Sequence, residues 1–376
     1  MIKVATLSFQ HAYNYGAVFQ VAALQHVIQS LGTQCDIIDY RCPAIDRQYD
    51  FKPLHFDSKI FSAIRANLVL VPFIKSKKKN FQKWMDSYQC TEIITKEHLP
   101  DLDERYDKFV VGSDQVWNMK CQGHDTSFFL DFVSEKSKKL AYAASFGTYN
   151  IFPEDTELFK KYLSTFNYIS VRENRGQQLV KELSGRSSQT CLDPVLLAGR
   201  RFWESRMDNN FQFKNKYIFV YQLGHSNQIP KFVKQLKKHF DFKVVFVTGH
   251  AGNMIYYSPF DKNESSVSPE RFLSYLANAS VVVTNSFHAT AFSILFQKNF
   301  YVISKGGMEF SSNARIYNLL NSFGLSDRIL YKYEESIVST PCDYSIFTKK
   351  IEDAKNDSLD YLKTAIGLYS LNEKNS

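Results

Sequence analysis

The chain has no Cys-x-x-Cys pair; its six cysteines, Cys35, Cys42, Cys90, Cys121, Cys191 and Cys342, lie far apart. That scatter argues against a zinc site or a compact disulfide framework and suits a reducing cytoplasm. No run of about 18 uncharged apolar residues occurs, so nothing is expected to span a membrane. The opening Met1-Ile-Lys-Val-Ala-Thr-Leu-Ser leads directly into a strand pattern without a cleavage signal, so no secretory leader is expected. The loop after that strand, His11-Ala-Tyr-Asn-Tyr-Gly-Ala, lacks Gly-x-Gly-x-x-Gly, which withdraws support from a dinucleotide site. Short internal repeats and low-complexity tracts are also missing.

What is present is length, aromatic mass and positive charge. At 376 residues the chain exceeds one ordinary core, so two domains are the default. Hydrophobic content of 44% with 22% charged residues fits a globular protein, and 32 Phe with 22 Tyr point to aromatic-rich cores. A net charge of +8 favours anionic partners: phosphates, acidic glycans, anionic lipid or nucleic acid. The basic residues are dispersed and no nucleic-acid module is recognisable, which argues against the last. Residues 60–74 are apolar, interrupted by Arg65 and Asn67, and Lys75, Lys77, Lys78 and Lys79 follow. This fits an amphipathic surface helix with a solvated basic end, or peripheral contact with anionic lipid at the inner face of the membrane.

Strand and helix patterns alternate along the chain. Lys3-Val-Ala-Thr-Leu-Ser reads as a strand; Val18, Val21, Leu24, Ile28 and Leu31 carry helical spacing; Gln34-Cys-Asp-Ile-Ile-Asp-Tyr is the next strand. Together they form a βαβ unit. A helix-rich basic insertion is expected near 55–100, and further strands end at Gly112-Ser-Asp, Ser145-Phe-Gly and Arg172-Glu. The proline of Leu192-Asp-Pro-Val-Leu-Leu suits an edge or a connecting segment. Residues 198–215 show no clear period and form the expected linker; a second alternation fills 216–344, and 345–376 read as a helix and tail. The expected fold class is α/β: two Rossmann-like βα domains, the first over 1–197, facing across a cleft, with a C-terminal helix.

One stretch organises the second half. Val281-Val-Val-Thr is a buried strand, Asn285 or Ser286 caps a helix, and Ala289, Phe292, Leu295 and Phe296 give that helix its apolar spacing. His288 then sits in the first helical turn, where free N–H groups and the positive end of the helix dipole suit a phosphate or carboxylate.

The turns carry a resemblance. Asn14-Tyr-Gly-Ala, Val111-Gly-Ser-Asp-Gln-Val-Trp-Asn, Ser170-Val-Arg-Glu, Leu192-Asp-Pro-Val-Leu-Leu and Thr284-Asn-Ser-Phe-His-Ala-Thr-Ala-Phe-Ser resemble, in order, marker segments of the polysaccharide pyruvyl transferase family. The resemblance implies a GT-B-like fold, with the acceptor on the N-terminal and the donor on the C-terminal side. It also implies transfer of pyruvate from phosphoenolpyruvate onto a sugar, as a cyclic ketal, with no other cofactor. The family's acceptors are glycans or lipid-linked oligosaccharide precursors of bacterial surfaces.

Such a donor needs cationic or N–H partners for its carboxylate and phosphate, and the reaction needs an acid, a base and support for the leaving phosphate. Phosphate neutralised by arginines and a helix end needs no metal. By the resemblance His288 corresponds to the family's active-site histidine, and Asp114 is the carboxylate expected to orient a hydroxyl or act as base. Many members carry an arginine two positions before that histidine; here it is Ser286. Arg172 and then Arg315 are the expected donor-binding cations, with Ser286, Asn285, Asn14 and Gly16 as further contacts. Plainer readings stand beside these: His288 as a packing residue, Arg172 paired with Glu173 or Asp193, Arg315 as a surface arginine, Asp114 as a turn residue, Gly16 as a backbone requirement. A GT-B glycosyltransferase using a nucleotide sugar, and a non-catalytic anion-binding homologue, are the alternative functions.

Overall fold

Runs such as Val281-Val-Val-Thr are buried on both faces, which a strand achieves only in a sheet covered by helices on each side. The computed structural model describes residues 1–49, 60–248, 260–264, 266–304 and 314–369, with the backbone alone over 60–70. Two parallel sheets result. The first holds β1 (Lys3–Leu7), β2 (Gln34–Tyr40), β3 (Cys90–Ile94), β4 (Lys108–Val111), β5 (Lys139–Ala144), β6 (Tyr168–Val171) and β7 (Gln189–Thr190). Its spatial order is β3-β2-β1-β4-β5-β6-β7. The second holds β8 (Tyr217–Gln222), β9 (Lys243–Thr248), β10 (Lys262–Asn263), β11 (Val281–Thr284), β12 (Asn299–Ile303) and β13 (Ile329–Leu330), in the order β10-β9-β8-β11-β12-β13.

The helices of the first half are α1 (Tyr15–Ser30), α2 (Pro43–Tyr49), α3 (Ile60–Met85), α4 (Met119–Gln122), α5 (Thr156–Leu163), α6 (Asn174–Ser184), α7 (Pro194–Leu197) and α8 (Gly199–Glu204). Those of the second are α9 (Gln228–Phe240), α10 (Pro269–Asn278), α11 (Phe287–Leu295), α12 (Ala314–Ser322), α13 (Glu335–Val338) and α14 (Ser345–Ile366).

The two halves are joined through an aromatic core rather than a wet cleft wall. Tyr15 of α1 stacks on Phe272 of α10 at 4.2 Å, and Phe19 meets Trp203 at 5.5 Å and Phe292 at 5.2 Å edge-on. Each such pair adds about 0.5–1.5 kcal/mol beyond area burial. Every residue of α11 is buried, as expected of a helix apolar all round. α14 crosses back to the first sheet: the Tyr361 hydroxyl donates to the Ala141 carbonyl at 2.8 Å, and Leu362, Ala365 and Ile366 bury against Val4, Ile28 and Leu140.

Several expectations are corrected. The insertion near 55–100 is not only helical, because Cys90–Ile94 forms the edge strand β3; its residues 55–59 lie outside the described residues. Within the expected linker, Gly199–Glu204 is the helix α8. Of the two settings expected for Pro194, the connecting segment is the one found: it opens α7 between β7 and β8, its missing N–H harmless at a first helical position. The basic end of α3 is only partly solvated: Lys77 is buried on the stripe of Phe73, Phe81 and Trp84. Burial brings its ammonium down to about 8, and Nζ stands 5.5 Å from the centroids of Tyr15 and Phe81. The terminal helix ends at Ile366, and residues 370–376 of the expected tail lie outside the described residues. Among the described residues no helix is long and apolar enough to cross a membrane.

The return of α14 makes a prediction. Leu362→Ala is expected to lower stability by about 2–5 kcal/mol, against less than about 0.5 kcal/mol for Glu352→Ala on the exposed face, as measured by urea denaturation. Equal effects of the two would show that the α14 contact contributes nothing to the first domain.

Candidate active site

In each sheet the strand order reverses beside the first strand of its domain: between β1 and β4, and between β8 and β11. Ligands of open α/β sheets bind at such switch points, beyond the carboxyl ends of the strands. The loops leaving β1 and β4 carry Asn14, Ser113 and Asp114, the loop leaving β11 carries Asn285 and Ser286, and Gly16 and His288 sit in the first turns of α1 and α11.

Local chemistry fixes the helix starts. The Asn14 carboxamide accepts the Gly16 N–H at 2.9 Å and caps α1. Ser286 caps α11: its hydroxyl accepts the Ala289 N–H at 3.4 Å, and its own N–H donates to the Thr284 hydroxyl at 3.0 Å. Asn285 pairs with the Leu223 backbone, accepting its N–H and donating to its carbonyl, both at 2.8 Å. Each of these three expected contact residues thus has structural work: Asn14 and Ser286 hold the two helix starts, and Asn285 ties the β8 exit to the β11 exit.

Gly16 meets a constraint of another kind. Its φ is not among the positive ones; what limits the position is the imidazole of His288, whose Nδ1 would lie 2.0 Å from a Cβ placed there. Glycine at 16 is what lets α11 bring His288 against the first turn of α1.

At the centre lies a carboxylate that the expected set omitted. Asp193 accepts from Arg172 Nη1 at 2.7 Å, from the Ser113 hydroxyl at 3.2 Å and from the Val195 N–H at 3.0 Å. Nε2 of His288 stands 3.5 Å from the same carboxylate. Burial alone would raise the Asp193 carboxyl, but His288 and Arg172 outweigh it and hold it well below the usual carboxylate range. Arg172 also lies 3.7 Å from Asp114 and 3.9 Å from Glu173, and its guanidinium covers the Phe287 ring at 4.2 Å. Arg315, reaching in from α12, stands 5.8 Å from that same ring. Asp114 takes a left-handed turn conformation, φ 71°, with its carboxylate on the Gln115 N–H at 2.8 Å. It is thus both the turn residue and a neighbour of the arginine.

Arg172 is not satisfied by these partners. Its Nε and Nη2, Oε2 of Glu173 and Nε2 of His288 are buried and make no hydrogen bond among the described residues. Buried donors left unpaired cost about 1–3 kcal/mol each, more when charged, so a site that keeps them is poised for a ligand. A cavity of about 440 Å³ opens beside them, lined by Arg172, Asp193, Phe287 and Arg315 and, from α14, by Lys350, Asp353 and Asp357. His288 and Asp114 do not line it; each stands against one member of the Arg172–Asp193 pair, His288 by the carboxylate and Asp114 by the guanidinium. Glu173 is buried, which pushes its carboxyl up, with Arg172 and Arg315 pulling the other way; Ser145 donates to its Oε1 at 2.8 Å. Asp193 and Glu173 both belong to marker segments, as the Asp of Asp-Pro and the Glu of Arg-Glu. What one chain could not display is that residue 193 meets residue 288. Among the described residues no three His, Cys, Asp or Glu side chains are arranged to hold a metal ion.

A family model described as polysaccharide pyruvyl transferase matches residues 14–305. No curated protein matches the chain. Among solved structures, the S. aureus MnaA–UDP complex aligns with a TM-score of 0.51 at 12% identity, covering 98% of each chain. A putative UDP-N-acetylglucosamine 2-epimerase from Listeria monocytogenes aligns with a TM-score of 0.50 at 11% identity, covering 97% of this chain and 91% of that one. At such identities the likeness is one of fold, the two-domain GT-B architecture.

Asp193→Asn removes the one carboxylate hydrogen-bonded to buried Arg172 among the described residues and is expected to cost about 3–5 kcal/mol near neutral pH. Because the native carboxyl is held below its unfolded value, its share of stability is present above about pH 4 and is lost as pH falls below that. Urea midpoints of wild type and variant should therefore converge on acidification; a constant gap would refute the assignment.

Proposed function

Since the chain belongs to the polysaccharide pyruvyl transferase family, we propose that it transfers pyruvate from phosphoenolpyruvate to a sugar of a bacterial surface polysaccharide or its lipid-linked precursor. The product is a pyruvate ketal, formed in the cytoplasm at the inner face of the membrane. The observation that carries this reading is that Nε and Nη2 of Arg172 are buried without a hydrogen bond among the described residues, beside a cavity that Arg315 also lines. A planar guanidinium with two open donors suits a carboxylate or phosphate held by two parallel hydrogen bonds. Arg315 also meets the difficulty posed by Ser286: the cation absent from the start of α11 is supplied from α12, over the same Phe287 ring.

In this reading a proton is added to C3 of the donor, C2 becomes electrophilic, and an acceptor hydroxyl adds to C2 while giving up its proton. The C2–O bond to phosphate then breaks, and a second hydroxyl closes the ketal, losing its proton in turn. Acid and base work falls to His288 and Asp114, which stand against the two members of the Arg172–Asp193 pair. Asp193, 3.5 Å from Nε2, orients the His288 ring. The arginines and the α11 start carry the charge of the departing phosphate. Ser286 also keeps a second reading in view, a glycosyltransferase that takes a sugar nucleotide into the same cleft.

Phosphate release from phosphoenolpyruvate, with galactose-, mannosamine- and glucose-based acceptors, is expected to depend on the acceptor and to fall at least about 100-fold in His288→Ala. Release of a nucleoside diphosphate from a sugar nucleotide, with no phosphate from phosphoenolpyruvate, would establish the second reading instead. Gly16→Ala is the sharper probe: alanine favours a helix by up to about 1 kcal/mol, yet its Cβ displaces the imidazole. Release should collapse, with the overpacked site costing about 1–3 kcal/mol of stability; retained turnover would remove His288 from the mechanism.

A further inference from the structure

Three carboxylates, Asp114, Glu173 and Asp193, lie within 4 Å of Arg172, while the cations at hand among the described residues are Arg172, Arg315 and, lining the cavity together with Asp353 and Asp357, Lys350. A donor bearing a carboxylate and a phosphate brings at least two more negative charges onto the arginines. The site then holds more anion than cation in a buried setting, and one carboxylate must give up its charge.

The three are not equally free to do so. Asp193 is fixed by Arg172, Ser113, the Val195 N–H and His288. Asp114 accepts a backbone N–H and has the more exposed side chain, 13% against 6% for Glu173. Glu173 has one oxygen on the Ser145 hydroxyl and the other, Oε2, buried without a hydrogen bond among the described residues. The charged groups facing it are Arg172, from its own strand end, and Arg315, from α12. Those are the two groups that an incoming anion would claim. We propose that Glu173 takes up a proton from solvent when an anionic donor occupies Arg172 and Arg315, so that donor and proton bind together. This inference rests on the donor reading given above. The protonated Oε2 becomes a hydrogen-bond donor beside the anion and stops competing for the guanidinium, which makes Glu173 a positioning residue.

Its carboxyl already stands above the ordinary glutamate value because of burial. A further negative charge on the arginines pushes it in the same direction.

The test is titration calorimetry of phosphoenolpyruvate binding to the full chain between about pH 6 and 8, in buffers of low and high ionisation enthalpy, for wild type and Glu173→Gln. The phosphate's own titration near pH 6 is common to both proteins and cancels in the comparison. Wild type should take up close to one proton more than the variant. Its affinity should weaken with rising pH by up to tenfold per unit more steeply, and above the window the variant should bind more tightly. Equal proton counts and equal slopes would overturn the inference while leaving the donor reading intact; absence of binding in both would remove both. Should the variant fail to fold, infrared difference spectra of wild type decide the matter: donor binding must raise the C=O band of a protonated carboxyl, and no such band would sink the proposal.

Discussion

A carboxylate removed from water has to find compensation, and Asp193 finds it in both domains at once. Arg172 comes from the end of β6 in the first sheet and His288 from the start of α11 on the second. The pairing fixes where the strand ends of the two sheets stand relative to each other. The cap at Asn14, the tie from Asn285 to Leu223 and the glycine at 16 all serve that approach. Without a hydrogen at position 16 in place of a side chain, the imidazole has no room, and Asp193 would face Arg172 alone.

The joint around this cluster is unusually apolar for one between domains. Interfaces within a chain are often polar enough to slide, but here Tyr15, Phe19, Trp203, Phe272 and Phe292 interlock. The high aromatic content read from composition is located here as much as in either sheet. α3 joins the same assembly: Asn80 donates to the Ser266 carbonyl of the second half at 2.8 Å, and Lys77 lies under the aromatic layer. The basic insertion is thus partly a strut between domains.

What was legible in the sequence is what local pattern encodes. The strand at Val281 and the helix after it, the βαβ opening and the two-sheet architecture follow from periodicity and caps. β3 escaped because an edge strand exposed on most of its residues, Cys90-Thr-Glu-Ile-Ile, carries no buried run. Pro194 left two settings open, because a proline excluded from a sheet interior suits an edge and is equally suited to open a helix in a connecting segment. Among site residues, Arg172, Arg315, His288 and Asp193 as a partner of Arg172 were visible as charge-bearing side chains, whereas the meeting of Asp193 with His288 and the reason for Gly16 were not. Both depend on contacts between residues far apart in the chain, 193 with 288 and 16 with 288, and a pairing of that range leaves no mark on its neighbours in sequence.

The crossing of α14 has a consequence for how the molecule is made. Its residues Tyr361, Leu362 and Ile366 complete the apolar layer over β1, β4 and β5, yet the ribosome delivers them only after the whole second domain. Domains usually fold as units in the order of their synthesis. Here α1 covers part of that sheet face from the start, but the rest of it waits, through the translation of six further strands, for a cover encoded beyond them. A nascent chain in that state presents apolar surface of the kind that chaperones bind.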